Sequence, residues 1–249
     1  MHTRDITQIG GAAVLILGLL FSGYIGDALG KPDPCTAPVP TSHTVLLADR
    51  TDIFSATVRG RLAARVRELA AGLHAGDRYS IYTIEDTSPE PVWSACRPRN
   101  AEDATISTPG AYWLDVDFKG HFAGPVQALS EKLATAAQAP HSPIMETVAA
   151  IASMPTFSPS VKNRTLIIVS DMLENTAGFS QYRSGPDFQQ FQHTAYARGV
   201  GVRLDGVRVR VLYITRHDAA SAHQGAAHKA FWISWLKSLG ADVTVEDVR

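Results

Sequence analysis

Cysteine is scarce in this chain of 249 residues, which has only Cys35 and Cys96. Two thiols exclude a disulfide-dense scaffold, and without a Cys-x-x-Cys spacing they do not indicate a cysteine zinc site. A surplus of positive charge is also missing, because 23 basic residues stand against 24 acidic ones and the formal net charge is −1. Proteins that bind nucleic acid show a basic excess or stripe, so we expect no nucleic-acid partner.

The motifs of several enzyme classes are absent as well. The sequence has no Gly-x-x-x-x-Gly-Lys-Ser/Thr loop to hold nucleotide phosphates and no Gly-x-Ser-x-Gly turn to present a nucleophilic serine. Nine histidines are present, and the three nearest one another are His217, His223 and His228. Spacings of six and five residues do not bring their side chains onto one helix face, so they do not indicate a zinc site.

One long apolar run lies near the N-terminus. Residues 9–26 ("IGGAAVLILGLLFSGYIG") contain no charged side chain. As a helix they would be roughly 27 Å long, close to the ~30 Å hydrocarbon thickness of a bilayer, which predicts a transmembrane anchor. A signal peptide cleaved near residues 28–30 ("ALG") is the alternative, although its apolar core is usually only ~7–15 residues long. Arg4 precedes the run and favours a cytoplasmic segment 1–8, with the rest of the chain outside the inner membrane.

The remainder of the chain divides into two parts. Residues 27–42 carry four prolines and predict an extended linker, and residues 43–249 predict a single domain. Cys35 lies in the linker, and Cys96 follows a strand-like run. In the oxidising periplasm the two would pair, and closing that loop would contribute up to ~4 kcal/mol to stability. Two unrelated thiols are the alternative.

Strand and helix patterns alternate through residues 43–249. Six apolar runs predict strands: "TVLLAD", "RYSIYTIED", "PVWSAC", "RTLIIVSD", "GVRVRVLYIT" and "ADVTVEDV". Amphipathic stretches between them predict helices, among them one helix over residues 187–199. The alternation predicts an α/β fold with a doubly wound, mostly parallel six-stranded sheet, in which the third strand is an antiparallel edge strand.

Oxygen-bearing side chains gather where the predicted strands end. Asp49 ends the first strand, Thr51 follows two positions later, and Asp171 ends the fourth strand. Ser142 opens a helix between them and adds a second hydroxyl. Parallel strands finish at one edge of a sheet, which is where ligands bind in such folds. Carboxylates and hydroxyls are hard oxygen ligands, so the set indicates a Mg²⁺ site.

These residues resemble the metal-ion-dependent adhesion site of von Willebrand factor A-like (VWA) domains. That family has Asp-x-Ser-x-Ser after the first strand, a Thr before a later helix and an Asp after the fourth strand. Here "DRTDI", "HSPIMETV" and "IIVSDMLEN" stand at the corresponding places. The matching positions, and the Mg²⁺ ligands that the resemblance implies, are Asp49, Thr51, Ser142 and Asp171. The resemblance covers about residues 43–248, and Ile53 departs from it because an aliphatic side chain cannot ligate.

The resemblance also implies a function. It predicts a membrane-anchored, non-enzymatic module that binds a protein partner, including other subunits of a membrane complex. Asp52, Glu174 and Asn175 would belong to the ligand-binding loops beside the metal ligands.

Two alternatives stay open at this point. Asp49, Thr51 and Asp171 could serve only as caps for loop amides. The stretch "DRTD" is also similar to the Asp-x-Asp-x-Thr loop of haloacid-dehalogenase-like phosphohydrolases, in which Asp49 would be the nucleophile. In that family the acid–base aspartate stands where this chain has Thr51.

Overall fold

Six strands form the centre of the fold in the computed structural model, which describes Cys35 and residues 40–51, 55–84, 90–105, 110–133 and 141–248. They are β1 (Ser42–Asp49), β2 (Arg78–Ile84), β3 (Trp93–Cys96), β4 (Asn163–Ser170), β5 (Val207–Ile214) and β6 (Asp242–Val248). Their order across the sheet is β3-β2-β1-β4-β5-β6. Neighbouring strands are parallel except β3, which is antiparallel to β2. The predicted mixed six-stranded sheet is therefore confirmed.

Helices of very different lengths connect the strands. They are α1 (Ala56–Ala71), α2 (Ala111–Phe118), α3 (Gly124–Leu133), α4 (Ile144–Ala152), α5 (Gln181–Ser184), α6 (Phe188–Phe191), α7 (Ala195–Gly199) and α8 (Ala226–Ser238). A π-helical turn, Lys119–Ala123, joins α2 to α3, and short 3₁₀ turns lie at Ala101–Asp103, Pro155–Phe157 and Ala219–His223.

The sheet is covered on both faces. Along β1, Val45 and Leu47 pack with α4 and α8, whereas Leu46 and Ala48 pack with α1 and α3. All four side chains are fully buried. A strand buried on both sides needs a continuous apolar run rather than an alternating one, which is why "TVLLAD" indicates a fully buried strand. The doubly wound arrangement follows from these two cores.

The chain winds in opposite directions from β1 and β4, the two central strands. We call the side of the sheet at which the parallel strands finish the carboxyl edge, and the opposite side the amino edge. The point between β1 and β4 at the carboxyl edge is the topological switch point, where folds of this kind bind ligands.

The prediction of one helix over residues 187–199 is wrong, because the structure has two short helices there, α6 and α7. Thr194 separates them. Its hydroxyl donates to the Phe191 carbonyl oxygen at 2.8 Å and accepts from the Ala197 amide at 3.0 Å. These bonds end one helix and cap the start of the next, as a threonine at an N-cap position does.

Cys35 and Cys96 form the predicted disulfide, with their Cα atoms 5.5 Å apart. Cys96 is the last residue of β3 and lies opposite Arg78, the first residue of β2. The disulfide therefore joins the linker to the amino edge of the sheet.

The predicted cytoplasmic segment 1–8 and the predicted anchor 9–26 lie outside the residues that the structure describes. Within the described ranges, no helix is both long enough and apolar enough to cross a bilayer.

Candidate functional site

The candidate site lies at the carboxyl edge, around the switch point between β1 and β4. Asp49 is the last residue of β1, and Asp171 directly follows the last residue of β4. Both carboxylates are buried, each with 1% of its residue surface exposed. Buried carboxylates require hydrogen bonds or positive charge, so their partners define what the site can do.

In the part of the chain that the structure describes, four hydrogen bonds hold the Asp49 carboxylate. Its Oδ1 accepts from the Thr51 hydroxyl at 2.6 Å and from the Thr51 amide at 3.0 Å. Its Oδ2 accepts from the Ser170 hydroxyl at 2.6 Å and from the Ser142 hydroxyl at 3.3 Å. The structure therefore brings together three of the four predicted ligands, Asp49, Thr51 and Ser142, and adds Ser170 to them.

Sequence reasoning missed Ser170 although it directly precedes Asp171. A serine inside an apolar run reads as part of the strand, and its role depends on which neighbour it faces. Here the pairing of β1 with β4 brings the end of one strand beside the end of the other. The signal available in the sequence was a hydroxyl at the last position of a buried strand.

Asp171 has an ionic partner. Its Oδ2 accepts from Nη1 of Arg216 at 3.0 Å, and its Oδ1 accepts from the Leu173 amide at 2.9 Å. The Arg216 guanidinium also bonds Asp218, and only 16% of the Arg216 side chain is exposed. Gln224 fixes the surrounding backbone by accepting from the Arg216 amide at 2.7 Å and donating to the Asp171 carbonyl oxygen at 2.9 Å.

Arg216 is the second residue that sequence reasoning missed. It follows the end of β5 by two positions, so it reaches the carboxyl edge by the same logic as Asp49 and Asp171. A search limited to acids and hydroxyls passes over it. An arginine just beyond a third parallel strand was the signal that could have found it.

The loop after β4 is held in a specific shape. Met172 has a left-handed backbone with φ of 63°, a conformation that costs a non-glycine residue ~1–3 kcal/mol. Its amide donates to the Ser170 hydroxyl at 2.7 Å. The ring Nε2 of His228 lies 3.1 Å from its carbonyl oxygen. These contacts stabilise the turn that directs Asp171 toward Arg216.

The predicted ligand-binding loop residue Glu174 lies in the interior rather than on the loop surface, with 0% exposure. Its carboxyl oxygens accept from the Met145 amide at 2.9 Å and from the Tyr196 hydroxyl at 3.1 Å. Burial raises the pKa of Glu174 well above its ordinary value, and the negative charge of Glu146 raises it further. Glu174 therefore joins the loop to α4 and the domain interior.

The other two predicted loop residues are placed differently. Asn175 pairs with Ser142 through the backbone, with N–O distances of 2.9 and 3.1 Å. This pairing holds the start of α4 against the loop after β4, so that the Ser142 hydroxyl reaches Asp49. Asp52 lies outside the described residues.

The donor set fits a Mg²⁺ ion poorly. Arg216 already places a positive charge against Asp171, and hydrogen-bond donors already occupy both oxygens of Asp49. Mg²⁺ requires oxygen ligands in near-octahedral geometry, and a neighbouring guanidinium opposes a second cation. Among the described residues, no group of three or more His, Cys, Asp or Glu side chains is arranged to hold a metal ion. The Mg²⁺ site on Asp49, Thr51, Ser142 and Asp171 stays a prediction.

The arrangement also disfavours Asp49 as a phosphohydrolase nucleophile. An attacking carboxylate oxygen must reach the substrate phosphorus, and Asp49 is buried with each oxygen accepting two hydrogen bonds. Thr51, which stands in place of the acid–base residue, donates its hydroxyl to Asp49 instead of facing a cleft.

A cleft of about 370 Å³ opens beside the ion pair. Its lining includes Ser55 at the N-cap of α1 and the segment Thr215, Arg216, His217 and Asp218 after β5. Val58 and Ile214 add an apolar wall, and His217 and Asp218 are exposed at the charged side. A cleft of this kind can accept a loop or side chain from another protein.

No protein-family model matches the chain, and no curated protein matches it. Among solved structures it is similar to an aerotolerance-related membrane protein from Bacteroides fragilis NCTC 9343 (11% identity, TM-score 0.39, covering 84% of this chain and 92% of that one). It is similar to the conserved hypothetical protein BatB from Bacteroides thetaiotaomicron (11% identity, TM-score 0.41, 84% and 91% covered). It is also similar to the human COPII-coat protein Sec24c (10% identity, TM-score 0.44, 84% and 29% covered). At these identities none of the three assigns this chain to a family.

Proposed function

We propose that the chain is a non-catalytic, VWA-like binding module that receives a protein partner at its carboxyl edge. The six-stranded sheet has the antiparallel third strand that the resemblance implies. The cleft beside the Asp171–Arg216 ion pair, with both apolar and charged walls, supports the choice of this edge. The observation that carries the proposal is the Asp171–Arg216 ion pair at 3.0 Å, which supplies positive charge without a metal.

In this proposal Arg216 takes the place of the Mg²⁺ of a VWA adhesion site. A guanidinium presents a fixed set of N–H donors and keeps its charge at any physiological pH. One side of it bonds Asp171 and another bonds Asp218, so the group is oriented before a partner arrives. Binding should then be indifferent to Mg²⁺ and to chelators.

Thermal melting of the full chain tests whether Arg216 takes the place of a metal ion. Wild type should have the same melting temperature with Mg²⁺ and with excess EDTA. Arg216→Ala should lose ~3–5 kcal/mol of stability because it removes the positive charge that faces the buried Asp171 carboxylate. Mg²⁺ should partly restore the melting temperature of this variant, since bound cation at 100 times its Kd adds ~2.7 kcal/mol.

The matched control is Arg203→Ala. Arg203 also pairs with an aspartate, Asp205, but the two side chains are 86% and 57% exposed. Exposed pairs contribute ~0–1 kcal/mol, so this variant should melt like wild type in both conditions. A wild-type melting temperature that rises with Mg²⁺ would support the predicted metal site and refute the role given to Arg216.

Site-specific cross-linking in cells tests the binding face. A photoreactive amino acid at His217 lies in the cleft, whereas one at Lys237 lies in the last turn of α8, away from it. Protein adducts should form from position 217, persist with EDTA and be absent from position 237. Equal amounts of adduct from both positions would show that the carboxyl edge is not the binding face.

The proposal includes a single-pass location in the inner membrane, with residues 9–26 as the anchor and the domain in the periplasm. The uncharged run and the disulfide support it, because disulfides persist in oxidising compartments. Full-length chain should stay with membranes after a carbonate wash. Recovery in the soluble fraction would support the cleaved signal peptide instead.

A further inference from the structure

Helix α2 exposes an aromatic patch, which consists of Tyr112, Trp113 and Val116. These side chains are 71%, 69% and 44% exposed. They are three of the five large apolar side chains that the described residues expose, and the two aromatic rings contact each other edge to face at 5.3 Å. Apolar surface concentrated in this way on one short helix marks a contact surface.

The patch is held rigidly from behind. The Arg97 guanidinium stacks over the Phe118 ring at 5.1 Å, and the Ala101 amide donates to Asp115 Oδ1 at 2.7 Å. Phe118 also stacks on Phe122, which is buried against α1 and α3. One side of α2 is therefore fixed to the domain, and the other side presents the patch.

The disulfide places the patch near the predicted anchor. Arg97, which holds α2, is the residue after Cys96, and Cys96 is bonded to Cys35 at the amino edge. Cys35 comes nine residues after the end of the anchor at residue 26. Nine residues span at most ~30 Å, so the amino edge and α2 stay close to the membrane surface.

We infer that the aromatic patch sits in the headgroup region of the bilayer that holds residues 9–26. This inference rests on the anchor of the proposed function. Tryptophan and tyrosine are the residues that favour this region, where one end of the side chain is apolar and the other is hydrated. Charge around the patch is mixed, with Asp117 bonded to His121 and Lys119 nearby, so contact depends on apolar burial and not on anionic lipid.

Tryptophan fluorescence of the full chain in vesicles tests the contact. The four tryptophans are Trp93, Trp113, Trp232 and Trp235, and all lie beyond Cys35. Trp232 and Trp235 are buried in the core, and Trp93 is partly buried against Phe122. In vesicles of brominated phosphatidylcholine, lipid should quench Trp113, and Trp113→Phe should remove most of that quenching. Trp93→Phe is the matched control and should keep it.

The tether gives a second readout. Cys96→Ser opens the disulfide, and the anchor then connects to the sheet through Ser42, sixteen residues after residue 26 instead of nine. The effective concentration of the patch at the membrane surface falls as the −3/2 power of the tether length, so the fraction of Trp113 fluorescence that lipid quenches should fall about twofold. Raising the salt concentration or adding anionic lipid should change it little.

Three results would overturn the inference, and they separate it from the anchor. Chain that does not float with the vesicles refutes the anchor and the inference together. Chain that floats while Trp113→Phe retains full quenching refutes only the inference. Absent lipid quenching, with Trp113 also shielded from aqueous iodide, would assign the patch to a protein contact.

Discussion

Replacing Asp49 by alanine should destabilise the domain far more than an ordinary loop-end aspartate would. The substitution removes the acceptor of four hydrogen bonds at a position with 1% exposure. The hydroxyls of Thr51 and Ser170, both at 2.6 Å, lose their closest partner. A buried donor without a partner costs ~1–3 kcal/mol, so two of them predict a loss of about 4 kcal/mol.

The assay is urea unfolding of the full chain, with thermal melting beside it. A loss of about 4 kcal/mol corresponds to a fall of ~8–16 °C in melting temperature for a domain of this size. Asp49→Asn keeps the shape but offers one acceptor oxygen, so its loss should be smaller. The slope of the unfolding transition should stay constant, since the area exposed on unfolding is nearly unchanged.

Asp187→Ala is the matched control. Asp187 caps α6 with a single hydrogen bond of 3.0 Å from the Gln190 amide, and its side chain is exposed. Losing such a cap costs ~1 kcal/mol. If Asp49→Ala costs no more than this control, the four hydrogen bonds do not stabilise the fold, and the reasoning from burial fails.

Two buried titratable groups and the disulfide give further expectations. Burial, and then the charge of Glu146, raises the pKa of Glu174 above 4.5, so the stability that Glu174 contributes is present below pH 4.5 and is lost as the pH rises through the raised pKa. Glu174→Gln should therefore make the urea midpoint depend less on pH, and a variant whose midpoint changes with pH as much as that of wild type would contradict this. Burial lowers the pKa of His228 from 6.5 to about 4, so the stability that neutral His228 contributes is present above pH 6.5 and is lost toward pH 4. His228→Gln should remove this loss of stability at low pH, and a variant that keeps the full loss would contradict the prediction. Cys35 and Cys96 should resist alkylation until reductant is added, and reduction should then cost about 4 kcal/mol; labelling of both without reductant would exclude the bridge in cells.

The sheet could be predicted because its evidence is local. A continuous apolar run is enough to indicate a strand buried on both faces, and the aspartate that ends such a run marks the end of the strand. Asp49 and Asp171 were therefore found without knowledge of the register. The prediction of one helix over 187–199 was wrong because the Thr194 hydroxyl forms hydrogen bonds with the backbone that interrupt the helix. The spacing of apolar residues carries no information about such hydrogen bonds.

The chemistry of the site could be predicted only in part, because it depends on the directions of side chains that meet from distant segments. The Ser170 hydroxyl and Asp49 are 121 residues apart in sequence, and Arg216 and Asp171 are 45 apart. Glu174 stands three residues beyond Asp171, and the left-handed turn at Met172 lies between them. Composition does not reveal that turn, so it gave no sign that Glu174 would be directed inward.

The disulfide lies at the amino edge of the sheet and the candidate site at its carboxyl edge, and this has a mechanical consequence. A pull between Cys35 and a partner held at the carboxyl edge would load the end of β3, through Cys96, and would also run lengthwise along β1. That strand is paired over seven positions with β2 on one side and over seven with β4 on the other. Sliding it out must break both rows of hydrogen bonds together instead of opening them one at a time. This pairing makes β1 resistant to a lengthwise pull.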